Sequence, residues 1–456
     1  MEVFGIFLSL ALLIFFAYRG YSVILFAPVC AIVAALFNGA ALLPSYTEVF
    51  LPNAATYFKN FFPIFMLGAV FGKVMEDSGA ASSIAHAIIK KLGPKRAILS
   101  SVLACMVLTY GGVSMFVVVF AIYPFARALF KEADIPKHLI PGVIGLGAFA
   151  CTMDAIPGSP QIQNMIPTRF FGTTLYAAPV TGMIGAVVMF VVYYAYLEWC
   201  VKKAKAKGEG YGHHTVNEAD IPADKKLPSP VISAIPLIVV LVLNYVFTKW
   251  IATWDTTLFE AYGIKMATVQ STWALLAALV VGIIISCAAN YKDMKGGIVK
   301  SLNAGTLGSL LAIINTSSEV GYGNTVASLV GFKAFSNTML NMPGGPLLSE
   351  AVTVNTLAGI TGSASGGMSI ALGIAAPKYL EWAAQAGITP EVLHRIASMA
   401  SGGMDTLPHN GAIITLLAVC GLTHRESYKH IGVLTVVKTL TAFLMVGLHA
   451  LIKFNM

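Results

Sequence analysis

Thr152-Met153-Asp154-Ala155-Ile156-Pro157-Gly158-Ser159-Pro160-Gln161 interrupts one long apolar run, and Gly403-Met404-Asp405-Thr406-Leu407-Pro408-His409-Asn410 interrupts another. Each puts an aspartate, a proline and turn formers in the middle of a segment long enough to cross hydrocarbon, for which about 20 apolar residues suffice. The two stretches read as copies. Met153-Asp154-Ala155-Ile156-Pro157 falls on Met404-Asp405-Thr406-Leu407-Pro408 when Gly111-Gly112-Val113-Ser114-Met115 is laid on Gly366-Gly367-Met368-Ser369-Ile370. The same alignment brings Ile135-Pro136 close to Thr389-Pro390, and Glu76-Asp77-Ser78-Gly79 near Glu319-Val320-Gly321. Matches in one order, each at an expected helix break, point to an internal duplication.

Composition says what surrounds these copies. Of 456 residues 57% are hydrophobic and only 11% charged, against roughly 25% charged in a soluble domain. Such a chain lacks the polar residues to cover a water-facing surface, which excludes a soluble enzyme and points to a polytopic membrane protein. The 42 glycines and 21 prolines exceed what plain spans need and suit helices that pack closely or are broken. The net charge of +8 comes from short clusters between apolar runs; with no basic face interleaved with aromatics, no nucleic-acid partner is expected. Cys30, Cys105, Cys151, Cys200, Cys287 and Cys420 lie far apart without a C-x-x-C pair, so neither a metal site nor a disulfide framework is implied. No cofactor is expected.

The clean spans are Val3 to Tyr18, Ser22 to Leu43, Tyr176 to Cys200, Val231 to Lys249, Thr272 to Ala288 and Gly432 to Phe454. The first reads as a span and not a cleaved signal, for it lacks a cationic start. Between the clean spans, Phe61 to Lys91, Ala97 to Phe130 and Leu139 to Phe171 are interrupted, as are Ala304 to Asn341 (by Ser317-Ser318-Glu319-Val320-Gly321-Tyr322-Gly323-Asn324), Pro346 to Trp382 and Pro390 to Gly421. The hydrophilic stretch 202–228 joins the halves, giving a first membrane repeat over 1–200, a cytoplasmic linker over 201–229 and a second repeat over 230–456. Basic loops collect on one side, as the positive-inside rule requires, if the Asp154 and Asp405 regions are re-entrant hairpins. The expected fold is therefore all-α and polytopic, with two inverted-topology repeats. Each has about five crossings, broken helices and one re-entrant hairpin, and no strand periodicity suggests a β-barrel.

A break inside a membrane persists only where protein, water or ligand satisfies the freed backbone groups, so matched Gly/Ser breaks mark a substrate site. Gly111, Gly112 and Ser114 in the first half, and Ser363, Ser365, Gly366, Gly367 and Ser369 in the second, precede half-helices whose N-termini favour a carboxylate. Close packing through small residues is the competing reading. At the hairpin tips Ser159, Gln161, His409 and Asn410 are further substrate contacts. Asp154 and Asp405, costly at membrane depth, are candidates for carrying a coupling proton or ligating Na⁺, or for capping half-helices. Lys73, Glu76 and Asp77, at i, i+3 and i+4, can pair on one helix face. Asp77 and Glu319 are the remaining coupling candidates. Lys73 is almost alone as a base deep in an apolar segment, so an anionic substrate would be held by helix N-termini and hydroxyls.

GGVSMFVVVFAIYPFA followed by TMDAIPGSPQIQN, with GGMDTLPHNGAIITLL in the second half, resembles the gluconate permease (gluconate:H⁺ symporter, GntP) family of the ion transporter superfamily. The resemblance covers nearly the whole chain. It implies secondary active uptake of a small organic acid across a bacterial inner membrane, usually with protons, with gluconate, other sugar acids, short hydroxy acids or D-serine as substrates. It also implies a homodimer and a moving transport body. A Na⁺-coupled carboxylate or D-amino-acid carrier is the alternative. A channel or intramembrane enzyme fits less well, since neither a nucleophile and base nor metal-ligand spacing is present.

Overall fold

The computed structural model describes residues 2–19, 21–93, 96–113, 115–218, 227–260, 262–289, 294, 297–332, 342–408 and 410–452. Among these the regular structure is helical throughout. Seven helical segments are long and apolar enough to cross a membrane, and shorter apolar helices of 10–17 residues accompany them.

The helices are inside out relative to those of a soluble protein. Along α10 (Pro230–Ile251), Ser233, Asn244 and Thr248 are buried while Val231, Ile238 and Val242 are exposed. Lipid solvates the apolar face, and the polar side chains turn inward where they find partners.

In the first half, α1 (Glu2–Tyr18) and α2 (Val23–Phe37) lead through a π-helical turn, Ser45–Phe50, into α3 (Leu51–Asp77). Then come α4 (Ala80–Leu92), α5 (Ala97–Tyr110), α6 (Met115–Glu132) and α7 (Ile140–Leu146), which continues as the π-helical stretch Gly147–Ala155. Helix α8 (Ile162–Phe171) returns from the Asp154 turn, and the 28-residue α9 (Pro179–Ala206) closes the half. The second half runs α10, α11 (Met266–Ala289), α12 (Ile298–Ser328), α13 (Gly345–Thr361), α14 (Ala364–Gln385), α15 (Pro390–Gly403), a 3-10 turn Met404–Thr406, α16 (Gly411–Cys420) and the 29-residue α17 (His424–Ile452). The order matches that of the first half. Helices α8 and α16 are 10 residues each and both end on a left-handed glycine, Gly172 and Gly421.

Two of the three kinds of break expected from sequence are present in both halves. The chain leaves helix at 111–113 and again at Gly362-Ser363, where Gly362 takes φ +66°, and it does so at both aspartate turns. The third is found only in the first half, at Ser78-Gly79. Contrary to expectation, Ser317 to Asn324 is uninterrupted helix within α12. Three polar side chains in and beside it bond back to their own helix, Ser318 Oγ donating to Ile314 O (2.9 Å), Asn324 Nδ2 to Val320 O (2.9 Å) and Thr325 Oγ1 to Gly321 O (2.8 Å), while Ser317 Oγ is buried and unbonded among the described residues. Its glycines serve packing: a Cβ at Gly321 would stand 3.0 Å from Phe50 O, and Gly323 faces Ile370. Glycine weakens a helix by about 1 kcal/mol relative to alanine, which close packing readily offsets.

The described part of the linker is not a free strand. Glu218 receives Lys137 Nζ at 2.7 Å and Arg127 Nη1 at 3.1 Å, both bases being fully buried, and Asn217 Nδ2 donates to Ala418 O and Val419 O at the end of α16. Burial alone pushes Glu218 up. Hydrogen bonds from Lys137, Tyr211 and Arg127 outweigh it and hold the carboxyl below its ordinary 4.5.

Candidate functional site

Three groups of polar residues sit where helices break. The first is at the start of α14. Ser363 is its N-cap and accepts from Gly366 N at 3.1 Å, with Ser365 Oγ 3.3 Å away. An N-cap serine satisfies one of the free amides of a helix start and leaves others available to an anion. Glu319, on the unbroken α12, turns its carboxyl toward this start and lies against the Ser363 side chain. A Cβ at Gly366 would stand 2.6 Å from Glu319 Oε2, so glycine is what lets the carboxylate approach. At Gly367 a Cβ would strike the Ala358 backbone, and this glycine sets how closely α13 and α14 pack. Tyr57 on α3 lies near Ser365, Ser369 and Glu319 without a hydrogen bond to them. Tyr57, Glu319, Ser365 and Ser369 are all buried, yet the Tyr57 hydroxyl, Glu319 Oε2 and Ser369 Oγ make no hydrogen bond within the described residues. Unspent buried polar atoms are costly, roughly 1–3 kcal/mol each. Several at one helix start make it the candidate site.

The second group joins the two hairpins. Asp154, in the π-helical stretch, and Asp405, in the 3-10 turn, meet on one ammonium: Lys438 Nζ is 2.9 Å from Asp154 Oδ2 and 2.9 Å from Asp405 Oδ1. It also donates to Phe149 O. Ser398 Oγ donates to the Asp154 carbonyl at 2.8 Å, and Asn355 Nδ2 to Ala400 O at 3.0 Å. Gly402 lies so close under the Asp154 carboxylate that no side chain fits there.

The third group is at the first-half break. Gly111 and Gly112 face apolar side chains: a Cβ at Gly111 would meet Leu237 at 2.7 Å, and one at Gly112, where φ is +92°, would meet Pro160 at 3.4 Å. Gln161 Nε2 donates to Thr109 O at 2.8 Å and Val113 O at 3.4 Å, tying the hairpin to the break. Asn410 makes the corresponding tie in the second half, donating to Gly362 O at 2.7 Å while its Oδ1 caps α16 through Ala412 N at 2.7 Å. Ser159 Oγ and Thr109 Oγ1 are buried and unbonded, as are both amide atoms of Asn244 on α10, close to Tyr176.

Ser114 and His409 lie outside the described residues. Asp77 joins none of the three groups. It pairs with Lys73 Nζ at 2.9 Å, beside Glu76 at 3.4 Å, and accepts from Ser301 Oγ at 2.7 Å. Ser301 precedes Glu319 by five turns of α12, about 27 Å at 1.5 Å per residue.

The expectation that almost no base lies deep in the apolar segments is corrected by Lys438 and Arg395, both essentially inaccessible. Lys438 interrupts the run 432–454, which reads as a clean span because one internal lysine barely lowers its hydropathy; a lysine in the interior of a long apolar run, far from either end, is itself the signal. Arg395 is partly spent on structure, its Nη1 being buried without a hydrogen bond among the described residues. Its Nε and Nη2 bond Ala177 O and its Nη2 also bonds Leu175 O, while neighbouring His394 bonds Thr173 and Asn164. Tyr57 and Asn244 carried no signal in sequence.

An apolar crevice, lined among others by Phe7, Leu10, Tyr322, Gly323, Thr361 and Ile370, separates α1 and the end of α12 from α13 and α14. Helices α1 and α2 with the end of α12 form a hydrophobic cluster apart from the main core.

Comparison with known proteins gives a consistent result. The GntP family permease profile matches residues 4–452. An uncharacterised transporter of Bacillus subtilis, YxjC, is 48% identical, with 99% of each chain covered. The high-affinity gluconate transporter of Escherichia coli is 24% identical over 84% of each. Among solved structures, Neisseria gonorrhoeae MtrF, described as illuminating a class of antimetabolite efflux pumps, superposes with a TM-score of 0.53 at 11% identity, covering 87% of this chain and 83% of its own. That likeness shows a shared membrane-transporter fold.

Proposed function

Because this chain belongs to the GntP family of permeases, we propose that it is a secondary carrier importing a small organic acid, such as gluconate or a short hydroxy acid, together with a proton. The observation that carries this reading is the Glu319 carboxyl, buried at the Ser363-capped start of α14 with its Oε2 unbonded among the described residues. A helix start with serine hydroxyls favours one negative charge, worth about 0.3–1 kcal/mol per charge at exposed sites and more when buried. Glu319 and a substrate carboxylate compete for it. If Glu319 is ionised, the incoming anion meets a like charge in a medium that screens poorly; if Glu319 takes a proton, the anion takes its place. Substrate and proton then enter together, which is symport. Ser365, Ser369 and Tyr57 have unspent hydroxyls or lie beside them, and these suit an acid bearing hydroxyl groups.

In this reading Ser363, Ser365, Gly366, Gly367 and Ser369 bind the carboxylate end. Gly111, Gly112, Ser159, Gln161 and Asn410 line or support the remaining approach, and Ser114 and His409 keep the substrate-contact role that the sequence suggests. Asp154 and Asp405, two carboxylates on one ammonium, hold the other place where a proton can reside; Asp77, paired with Lys73, is assigned none. The hairpins, α13 and α14 move as one body against α1, α2 and α10 in an elevator-like alternation, and the apolar crevice is the seam. The layout of an inverted repeat over 1–200, a cytoplasmic linker over 201–229 and a second repeat over 230–456 suits this motion, as does a homodimer in a bacterial inner membrane.

Uptake of labelled gluconate and short hydroxy acids into proteoliposomes, under an imposed pH gradient or an imposed Na⁺ gradient, tests the proposal. Accumulation under the pH gradient alone is expected. If no acid accumulates under either gradient, the carrier reading is wrong.

A further inference from the structure

We propose that Lys438 is a tethered cation: its ammonium fills the position between the two hairpin carboxylates where a transported Na⁺ would otherwise have to sit. The geometry is that of an ion site. Two carboxylates from opposite halves converge on Nζ at 2.9 Å each; Asp405 and the Phe149 carbonyl accept its hydrogen bonds, while the Asp154 carboxylate, which accepts none among the described residues, is held by charge alone. Lys438 and Asp154 side chains are 1% exposed and Asp405 6%, so water does not solvate them.

The arrangement fixes position as well as charge. Lys438 projects from α17, where Thr435 Oγ1 bonds Thr406 Oγ1 at 2.7 Å in the same 3-10 turn as Asp405. Cys151, a free thiol, is the titratable neighbour on the Asp154 element. Arg395 on α15 is bound to the Leu175 and Ala177 carbonyls, and His430 on α17 to His138 and Tyr196. No charged group other than Lys438 ion-pairs with either aspartate among the described residues.

Without the ammonium, two buried carboxylates would face each other within about 6 Å, an arrangement that cannot stay doubly ionised. Some cation must hold the hairpins together. A family member lacking this lysine would need to borrow one; this chain carries its own. The hairpins therefore stay joined through the transport cycle, and Na⁺ has no vacancy to fill here. This rests on the carrier reading only for its consequence on coupling, since the test reads stability.

The experiment is thermal unfolding of the purified full-length protein in detergent, in NaCl or choline chloride at equal ionic strength. Wild type is expected to melt at the same temperature in both salts. Lys438→Ala is expected to melt lower by about 5 °C or more, and to be restored by methylammonium or Na⁺ but not by choline, whose bulky head does not fit. A Na⁺-dependent rise in wild type that Asp154→Asn removes would overturn the proposal. So would a Lys438→Ala variant as stable as wild type in choline. If Lys438→Ala yields no folded protein, the triple variant Asp154→Asn/Asp405→Asn/Lys438→Ala decides: recovered folding supports the charge account, and continued failure overturns it. A stable Na⁺-indifferent wild type that transports no acid would count against the carrier reading alone.

Discussion

The two helix breaks that the duplication supplies are built on one plan and differ in charge. In each, a side-chain amide from the start of the hairpin's return arm holds a carbonyl of the break: Gln161 on Thr109, Asn410 on Gly362. In each, glycine lets another group come close. At Gly111 and Gly112 those groups are Leu237, Val240, Phe71 and Pro160; at Gly366 the group is the carboxyl of Glu319. The first break is packed as a joint, and its unspent polar atoms on Ser159, Thr109 and Asn244 are all uncharged. The second admits an ionisable group. On the proposed reading the two breaks are hinges, and one acidic residue on a neighbouring helix separates the hinge that only bends from the one that chooses an anion.

The sharpest way to break this comparison is to neutralise both acids that align between the repeats. Glu319→Gln is expected to abolish concentrative uptake: the acid equilibrates to an internal-to-external ratio of about one, because a carrier that binds no coupled proton has no coupling free energy. Counterflow exchange of the same acid survives, for the α14 start is intact. Glu76→Gln, at the end of α3 and 37% exposed beside Lys73, leaves accumulation unchanged. Equal loss in both variants, measured as gradient-driven uptake normalised to folded protein, would erase the distinction between the breaks.

That contrast also marks how far the sequence could be read. The Gly-Gly and Met-Asp-x-x-Pro motifs announce breaks because glycine and proline act locally, and the structure has them at both sites in both halves. The Glu319 segment looks equally broken in one dimension, yet it is helical. Ser318 and Thr325 satisfy themselves on i−4 carbonyls, and its glycines are used by Phe50 and Ile370. Local composition does not distinguish a glycine that bends a helix from one that admits a neighbour. The residues that complete the groups are remote: Tyr57 arrives from α3, and Lys438 joins Asp405 across 33 positions and Asp154 across the whole second half. Burial, which makes a single lysine count, is a property of the packed bundle.

A finer test exchanges hydrogen for methyl at the two glycine sites. Gly366→Ala puts a carbon 2.6 Å from Glu319 Oε2 and 3.1 Å from Ser363 Oγ. Both are side-chain ends that can swing, so stability falls by only about 1 kcal/mol, whereas the acid's apparent affinity falls about tenfold or more as Glu319 is pushed from the helix start. Gly112→Ala reverses the pattern. Its φ of +92° strains an L-residue and its Cβ meets Pro160 at 3.4 Å, costing about 1–2 kcal/mol of stability with affinity per folded molecule little changed. Thermal unfolding and concentration-dependent uptake on the same preparations separate the two.

The smallest difference lies in the amide ties. Asn410 does two jobs, accepting from Ala412 N as the cap of α16 and donating to Gly362 O, both at 2.7 Å. Asn410→Ala removes both, and an N-cap alone is typically worth about 1 kcal/mol, with a buried carbonyl left unbonded besides. Gln161 caps nothing: its side chain makes no bond to the start of α8 and only donates, to Thr109 O at 2.8 Å and less favourably to Val113 O at 3.4 Å. Gln161→Ala is therefore expected to cost about 0.5–1 kcal/mol, roughly half the Asn410→Ala loss. Because Gly362 directly precedes the Ser363 cap, Asn410→Ala also loosens the charged break, so its loss of stability is accompanied by weaker acid binding. Gln161→Ala shows the stability loss alone. Should both variants weaken binding in proportion to their loss of stability, the first break would belong to the binding site as fully as the second, and the two would differ in charge but not in role.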